Sequence, residues 1–446
     1  MCLSWPRSAP RREKLTMSLS LDAGLVEPSS HGLKPLWTTV RRYGVSASGP
    51  VATSGAHFLA SLLFVRNLPA AAFGLFSFVL VIVPFAMSMT GALLVIPVTR
   101  ALTQSPQERA RIVASCLKMN LLLSVLTAAC VFGLLLMAGA QPLSAFLLGL
   151  FGGALTFRWF ARCFAFVEGR LNRAIASDMV YAAALVLGLG ALALSHHVGL
   201  VFGALTLLLA AIVSYVPLGR KFFADQAAAL FTGSLRLYGA TFRDLTCWSL
   251  LGVILTEMTV NAHAYLVTFV AGPSAFALLA LGMLLMRPAS LVQSALPDLE
   301  RPAMTRQIAA RDWRGLSRTN REFGNGLFAM LVATLILDAG LLFWVPGLIL
   351  KKGYSLHDVV IVAGFSAAIM AVRCLRSPLA VLLQAVGAFK EMAAIGMKSS
   401  VISIAATLAL LLSLGPMLSL GGVLLGELVI LYYCRKLVTK WEAARD

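Results

Sequence analysis

The feature that most constrains this chain is a set of long stretches containing no Asp, Glu, Lys or Arg: 71–98, 119–157, 179–219, 258–286 and 399–426. A helix needs ~20 apolar residues to cross ~30 Å of hydrocarbon, so several of these stretches are long enough for two crossings. Composition points the same way. Apolar side chains make up 59% of the 446 residues and charged ones 13%, against ~45–50% and ~25% in a soluble domain, and mean hydropathy is +0.85. Too few polar side chains remain to cover the surface of a soluble fold. The chain reads as an all-α polytopic membrane protein.

Turn signals divide the long runs at helix-sized intervals. They are Gly139-Ala140-Gln141-Pro142, Ser195-His196-His197 and Gly272-Pro273. Division there predicts about twelve transmembrane helices, near 48–66, 71–98, 112–138, 143–166, 176–195, 198–219, 245–270, 274–298, 322–345, 357–386, 392–414 and 417–437. Residues 1–47 precede the first span; the part to residue 36 is rich in Ser, Pro, Arg and Gly without an apolar period, and the segment is expected to be a disordered or amphipathic cytoplasmic one. Arg11-Arg12 is not followed by the short apolar core and cleavage site of an export signal. Met17 is an alternative start.

The chain carries 37 Lys+Arg against 19 Asp+Glu, a formal net charge of +18. In a soluble protein this would suggest nucleic acid. Here the basic residues stand in short clusters between apolar runs, which is the pattern of orientation charge, and no nucleic-acid partner is expected. With a cytoplasmic N-terminus, the even-numbered gaps and both tails hold nearly all of them, including Arg100, Arg109, Arg111, Arg170, Arg173, Arg220, Lys221, Arg236 and Arg243, and the six arginines between Arg301 and Arg321. The opposite side keeps Arg66, Lys351 and Lys352. Both termini are therefore expected inside.

The two halves are weakly alike. FVRNLPAAAFGLFSFVLVIVPFA (64–86) and LVTFVAGPSAFALLALGMLLMRPA (266–289) share a break, an Ala-Phe pair and an intrahelical proline in one order. Six spans per half, both starting inside, imply parallel repeats about an axis along the membrane normal. The expected organisation is an N-lobe (48–219), a cytoplasmic linker (220–244), a C-lobe (245–437) and a cytoplasmic tail (438–446), the lobes facing a central cavity. External gaps of a few residues, apart from the longer one around Lys351-Lys352-Gly353-Tyr354, leave no loop for the catalytic side chains of a membrane glycosyltransferase, polymerase or ligase. No phosphate loop, HExxH or GxSxG motif is present, and the seven scattered cysteines show no metal or disulfide spacing. No enzyme activity, metal or cofactor is expected.

Charge inside the bilayer costs roughly 2.5–3.5 kcal/mol on insertion scales, so buried ionisable residues are the first candidates for function. Arg287 lies midway through span eight, before Pro288; Arg373 and Arg376 share one face of span ten, before Pro378. A cavity role competes with snorkelling or an internal ion pair. Arg158 and Arg162, toward the cytoplasmic end of span four, are secondary candidates that could reach headgroups. His57 lies in a stripe with Ser54 and Ser61, which lines the cavity or glues helices together. The intramembrane acids are Glu257, Asp338 and Glu427. Glu257 shares a face with Asn261, either as an ion-coupling site or as the ion-pair partner of Arg287 or Arg373. Pro84, Pro288 and Pro378 predict kinks.

The stretch GPVATSGAHFLASLLFVRNLPAAAFGLFSFVLVI (49–82), with Arg66 ending span one and Phe73-Gly74 opening span two, resembles the opening of Wzx-type polysaccharide flippases in the multidrug/oligosaccharidyl-lipid/polysaccharide (MOP) exporter superfamily. The second half is similar in layout, including GAFKEM (387–392). Where these flippases often have Asn-Ala-Asp-Arg after span seven, this chain has Asn261-Ala262-His263-Ala264. The resemblance implies a MATE/MOP-like fold and movement of an undecaprenyl-diphosphate-linked oligosaccharide across the bacterial inner membrane, alongside other polysaccharide-assembly membrane proteins. On that reading Arg373, Arg376 and Arg287 hold the diphosphate, and Glu257 with Asn261 couples an ion. A MATE-like multidrug antiporter and a membrane-embedded polymerase or ligase are the alternatives.

Overall fold

The computed structural model describes residues 34–102, 104–344 and 355–445. The segment 1–33, with Cys2, Arg11-Arg12 and Met17, and Lys351-Lys352 of the longest external gap lie outside the described residues. The chain divides after Gly44 into two units, and the account below concerns the second, from Val45. Every regular element among the described residues is helical.

The first half comprises α1 (Lys34–Asn67), α2 (Ala70–Thr90), α3 (Ile96–Ala101), α4 (Pro106–Met137), α5 (Pro142–Val167), α6 (Leu171–Leu194) and α7 (Leu200–Val213). Two short helices, α8 (Arg220–Thr232) and α9 (Leu235–Thr241), occupy the expected linker. The second half comprises α10 (Cys247–Val270), α11 (Pro273–Leu285), α12 (Arg287–Ala309), α13 (Trp313–Trp344), α14 (Leu356–Val386), α15 (Phe389–Leu414) and α16 (Leu420–Arg445). Among the described residues, nine helices are long and apolar enough to cross a membrane, or eleven if each of two bent pairs is one span. This is a multi-pass membrane protein.

The twelfth expected span is α16, which forms but is too charged to count among these membrane-crossing helices. Its first 18 residues carry Glu427, Arg435 and Lys436. Span eight is also not a single straight helix: α11 and α12 meet at 61°. Pro288, second in α12, has no N–H to offer the carbonyl four residues earlier, and its ring crowds that turn. Arg287 therefore sits at the break itself. By contrast, α2 and α14 run on through Pro84 and Pro378.

Small residues set the close packing. In the α4–α5 hairpin, a Cβ on Gly153 would lie 2.6 Å from the Ser124 carbonyl oxygen, and one on Gly149 would lie 2.8 Å from that of Ala128. Only glycine lets these backbones approach so closely. The linker is bound to this hairpin: Gln226 Nε2 donates to Leu117 O at 2.7 Å and Lys118 Nζ to Gly233 O at 3.3 Å. Between α2 and α3 the helix takes one π turn, Gly91–Val95. Pro97 cannot donate to the carbonyl of Leu93, and Tyr238 Oη of α9 does so instead at 3.1 Å.

Helices α2 and α4–α7 pack among themselves, as do α10–α16, and α2 crosses between the groups to pack on α10 and α11. The seam is aromatic. Phe78 meets Tyr265, Phe269 and Phe276 edge-on, with ring centroids 5.5, 5.7 and 6.2 Å apart. Nearer the α1–α2 turn, Gly74 lies so close to the Pro273 backbone that a Cβ there would overlap its carbonyl. The two halves are thus shut against each other at the end holding the α1–α2 and α10–α11 turns.

Candidate functional site

Beyond that seam lies a two-tiered cavity between the halves. The upper tier, about 70 Å³, is lined by His57, Ser61, Ser77 and Arg287 under Phe73 and Phe276. The lower, about 200 Å³, runs toward the α5–α6 turn past Thr53, His57, Arg158, Arg162, Asp178 and Arg287. His57 is ten residues from the end of α1, about 15 Å along the axis at 1.5 Å per residue, which places it near mid-bilayer depth.

The α1 stripe faces this space because Thr53, Ser54, His57 and Ser61 recur at three- and four-residue spacing on one side of the helix. His57 Nε2 lies 2.6 Å from Tyr181 Oη, and Ser61 Oγ donates to the His57 carbonyl at 2.9 Å. The Tyr181 ring in turn lies 4.8 Å from the Arg158 guanidinium carbon. Arg158 Nη2 donates to Asp178 Oδ1 at 2.6 Å and its Nε to Ser177 Oγ at 3.1 Å; Arg162 Nε donates to Asp178 Oδ2 at 2.7 Å. Arg162 also lies over the rings of Trp159 and Phe166, at 5.1 and 5.0 Å. One carboxylate bridges two guanidiniums, all three buried.

Asp178, Ser177 and Tyr181 were not among the sequence candidates. A signal for Asp178 was present: Arg158 lies ten residues before Glu168 and Asp178 ten after it, so the α5–α6 hairpin returns the acid to the depth of the arginine.

Arg287 differs from both. It makes no ion pair or side-chain hydrogen bond among the described residues, yet it lines both tiers. Among the described residues, three guanidiniums against one carboxylate leave the cavity a formal charge of +2, with His57 uncounted. A lone cation held in this way suits a mobile anion.

The expected grouping of Arg373 and Arg376 with Arg287 is not what forms. Both residues of the α14 pair turn toward α16, where the fully buried Glu427 accepts from Arg373 Nε at 2.7 Å and stands 3.1 Å from Arg376 Nε. The short spacing that put them on one helix face also gave them one acid. Arg158 and Arg162, the secondary candidates, share the cavity with Arg287 in their place. Glu257 pairs with neither Arg287 nor Arg373. Its two oxygens accept from Asn261 Nδ2 at 3.0 Å and Tyr265 Oη at 2.9 Å, both on its own helix. Asp338 is buried, with Oδ2 unpartnered among the described residues.

No protein-family model and no curated protein matches the sequence. Solved structures do match the fold. An inward-facing multidrug resistance MATE family transporter of the MOP superfamily superimposes with a TM-score of 0.66 at 14% identity, covering 89% of this chain and 99% of that one. The lipid II flippase MurJ, in an inward closed conformation, gives 0.64 at 11% identity over 88% and 87%. A MOP superfamily transporter from Pyrococcus furiosus, whose binding pocket is described as reversed in polarity, gives 0.58 at 13% over 94% and 100%. The chain has the fold of MATE/MOP-like transporters.

Proposed function

We propose that this chain, built on that transporter fold, is a flippase that moves a diphosphate-linked oligosaccharide from the cytoplasmic to the periplasmic leaflet of a bacterial inner membrane, both termini lying in the cytoplasm. One observation carries the reading: among the described residues, the cavity between the halves holds a formal +2, with Arg287 unpaired. A diphosphate diester ionises at both phosphoryl groups, and arginine offers each a planar fork of donors. The sugar occupies the polar space along the His57 stripe, and the prenyl chain remains in lipid between the helix groups. The lipid-linked substrate of the MurJ neighbour supports the class of cargo, and the resemblance to Wzx-type flippases supports the oligosaccharide.

Arg287 is the binding group, and Asp178 positions Arg158 and Arg162. With the seam at Phe78 closed and the cavity on the α5–α6 side, loading occurs from the leaflet where the positive gaps lie. Release requires the α2 seam to part. An inside-negative potential favours outward passage of an anion by about 2.3 kcal/mol per charge per 100 mV.

Arg287→Gln tests the reading. Hydrogen bonds to charged groups contribute ~1.5–3 kcal/mol, so lipid-linked precursor turnover should fall about 10- to 150-fold at equal protein level, with surface polysaccharide lost and precursor trapped in the inner leaflet. Full polysaccharide output from Arg287→Gln refutes it. Glu257, buried with no cation partner among the described residues, favours a second reading as a MATE-like antiporter for cationic drugs. Drug efflux abolished by Glu257→Gln, with polysaccharide unchanged, would establish that reading.

A further inference from the structure

A second cavity, of about 420 Å³, lies wholly within the second half, between α10, α12, α14, α15 and α16. It shares no lining residue with the central cavity, and its size falls in the ordinary range of ligand pockets. Among the described residues its charged lining residues are Arg301 and Arg376, with no carboxylate on the wall. Arg301 Nε is closed off from solvent and has no hydrogen-bond partner among the described residues. Arg376 Nε, although 3.1 Å from Glu427, is not aligned to donate to it. Glu427 accepts from Arg373 through Oε1 at 2.7 Å and is ion-paired with Arg376 through Oε2.

Neutral polar groups complete the charged end. Gln293 Nε2 donates to Ser377 Oγ at 3.1 Å, which leaves the Gln293 carbonyl oxygen and second amide hydrogen for other use, and the Gln384 amide makes no side-chain bond among the described residues. The remaining wall is apolar, from Leu255, Val260, Val381, Ile395 and Ile430. Buried donors left without acceptors are costly, and here two guanidinium groups, each with an unpartnered Nε, line one cavity. Guanidinium forks match phosphate oxygens, and the apolar wall beside them suits an acyl chain.

We infer that this cavity binds a phosphate ester through Arg301 and Arg376, with Gln384 as an additional donor, at a site separate from the central cavity. The chemistry is shared by an anionic phospholipid headgroup and a free phosphate, and the apolar wall favours the lipid.

The test uses the full chain in nanodiscs of phosphatidylcholine alone or with phosphatidylglycerol, with lipid retention read by native mass spectrometry, and a parallel titration with inorganic phosphate read by phosphorus NMR line broadening. The expected result is selective retention of phosphatidylglycerol, reduced at least tenfold in Arg301→Gln. Saturable binding of inorganic phosphate that is lost in the same variant would assign the site to a free phosphate instead, with the residues unchanged. Equal retention of both lipids together with no phosphate binding, or binding indifferent to Arg301→Gln in a folded variant, overturns the proposal. Should Arg301→Gln fail to fold, Gln384→Leu carries the test, and unchanged affinity there overturns it equally. Arg287→Gln leaves this binding intact whether or not the transport reading stands, so the two fail separately.

Discussion

Replacing Asp178 with Asn should damage this protein more than any change to the exposed arginines. The acid sits between Arg158 and Arg162 at 2.6 and 2.7 Å, and the three side chains are at most 9% exposed, so solvent screens the pairs little. Asn keeps one acceptor and loses the charge. Two buried guanidiniums then lack a counter-ion, and removing one partner of a buried pair typically costs 3–5 kcal/mol. Ser177 Oγ still serves Arg158, and the Tyr181, Trp159 and Phe166 rings still face the guanidiniums, so the lower end, about 3 kcal/mol, is expected. That corresponds to roughly a hundredfold fall in the ratio of folded to unfolded protein. Chemical unfolding in detergent micelles measures it. A second substitution sharpens the test: adding Arg162→Leu to Asp178→Asn removes one orphaned charge and should recover ~1–3 kcal/mol, a non-additive cycle. A cost for Asp178→Asn below ~1 kcal/mol, or strict additivity within ~0.5 kcal/mol, would show that the triad is not the buried electrostatic unit described.

Two further changes address the closed seam and the linker. Gly74→Leu places a side chain where the Pro273 backbone lies and should wedge α2 from α11; a cysteine at Ser77 would then label from the α1–α2 side, and unchanged labelling would show that the approach does not hold the seam shut. Tyr238→Phe removes the hydroxyl donor to Leu93 O, a hydrogen bond worth about 0.5–1.5 kcal/mol. Faster amide exchange over 91–97 is the expected readout, and exchange identical to the parent would place the π turn's stability elsewhere.

Hydropathy made most helices legible, since the turn Gly139-Ala140-Gln141-Pro142 separates α4 from α5 where expected. Helix length was not legible. α4 begins at Pro106 and α13 at Trp313, well before their apolar cores at 112 and 322, because a helix continues through polar residues as long as its backbone bonds are made. The cavity arginines were found by their cost in lipid, but their partners were not assigned. Whether an arginine is free or paired depends on an acid on another helix, as Glu427 on α16 does for Arg373 on α14, and one strand of sequence carries no record of which faces meet. Arg287 and the α14 pair had the same appearance in sequence and opposite circumstances in space.

Tyr265 belongs to two contacts at once. Its ring packs edge-on against Phe78 of the other half, and its hydroxyl donates to Glu257. Two equilibria that share one side chain are thermodynamically linked, and linkage runs both ways with equal magnitude. Whatever alters the charge or occupancy at Glu257 changes how firmly Tyr265 is held beneath Phe78, and parting of the halves changes how well Glu257 is served. On the transport function proposed above, the acid need not touch cargo to matter: it can set the fraction of time the halves spend shut, and so the rate at which an emptied carrier becomes ready again.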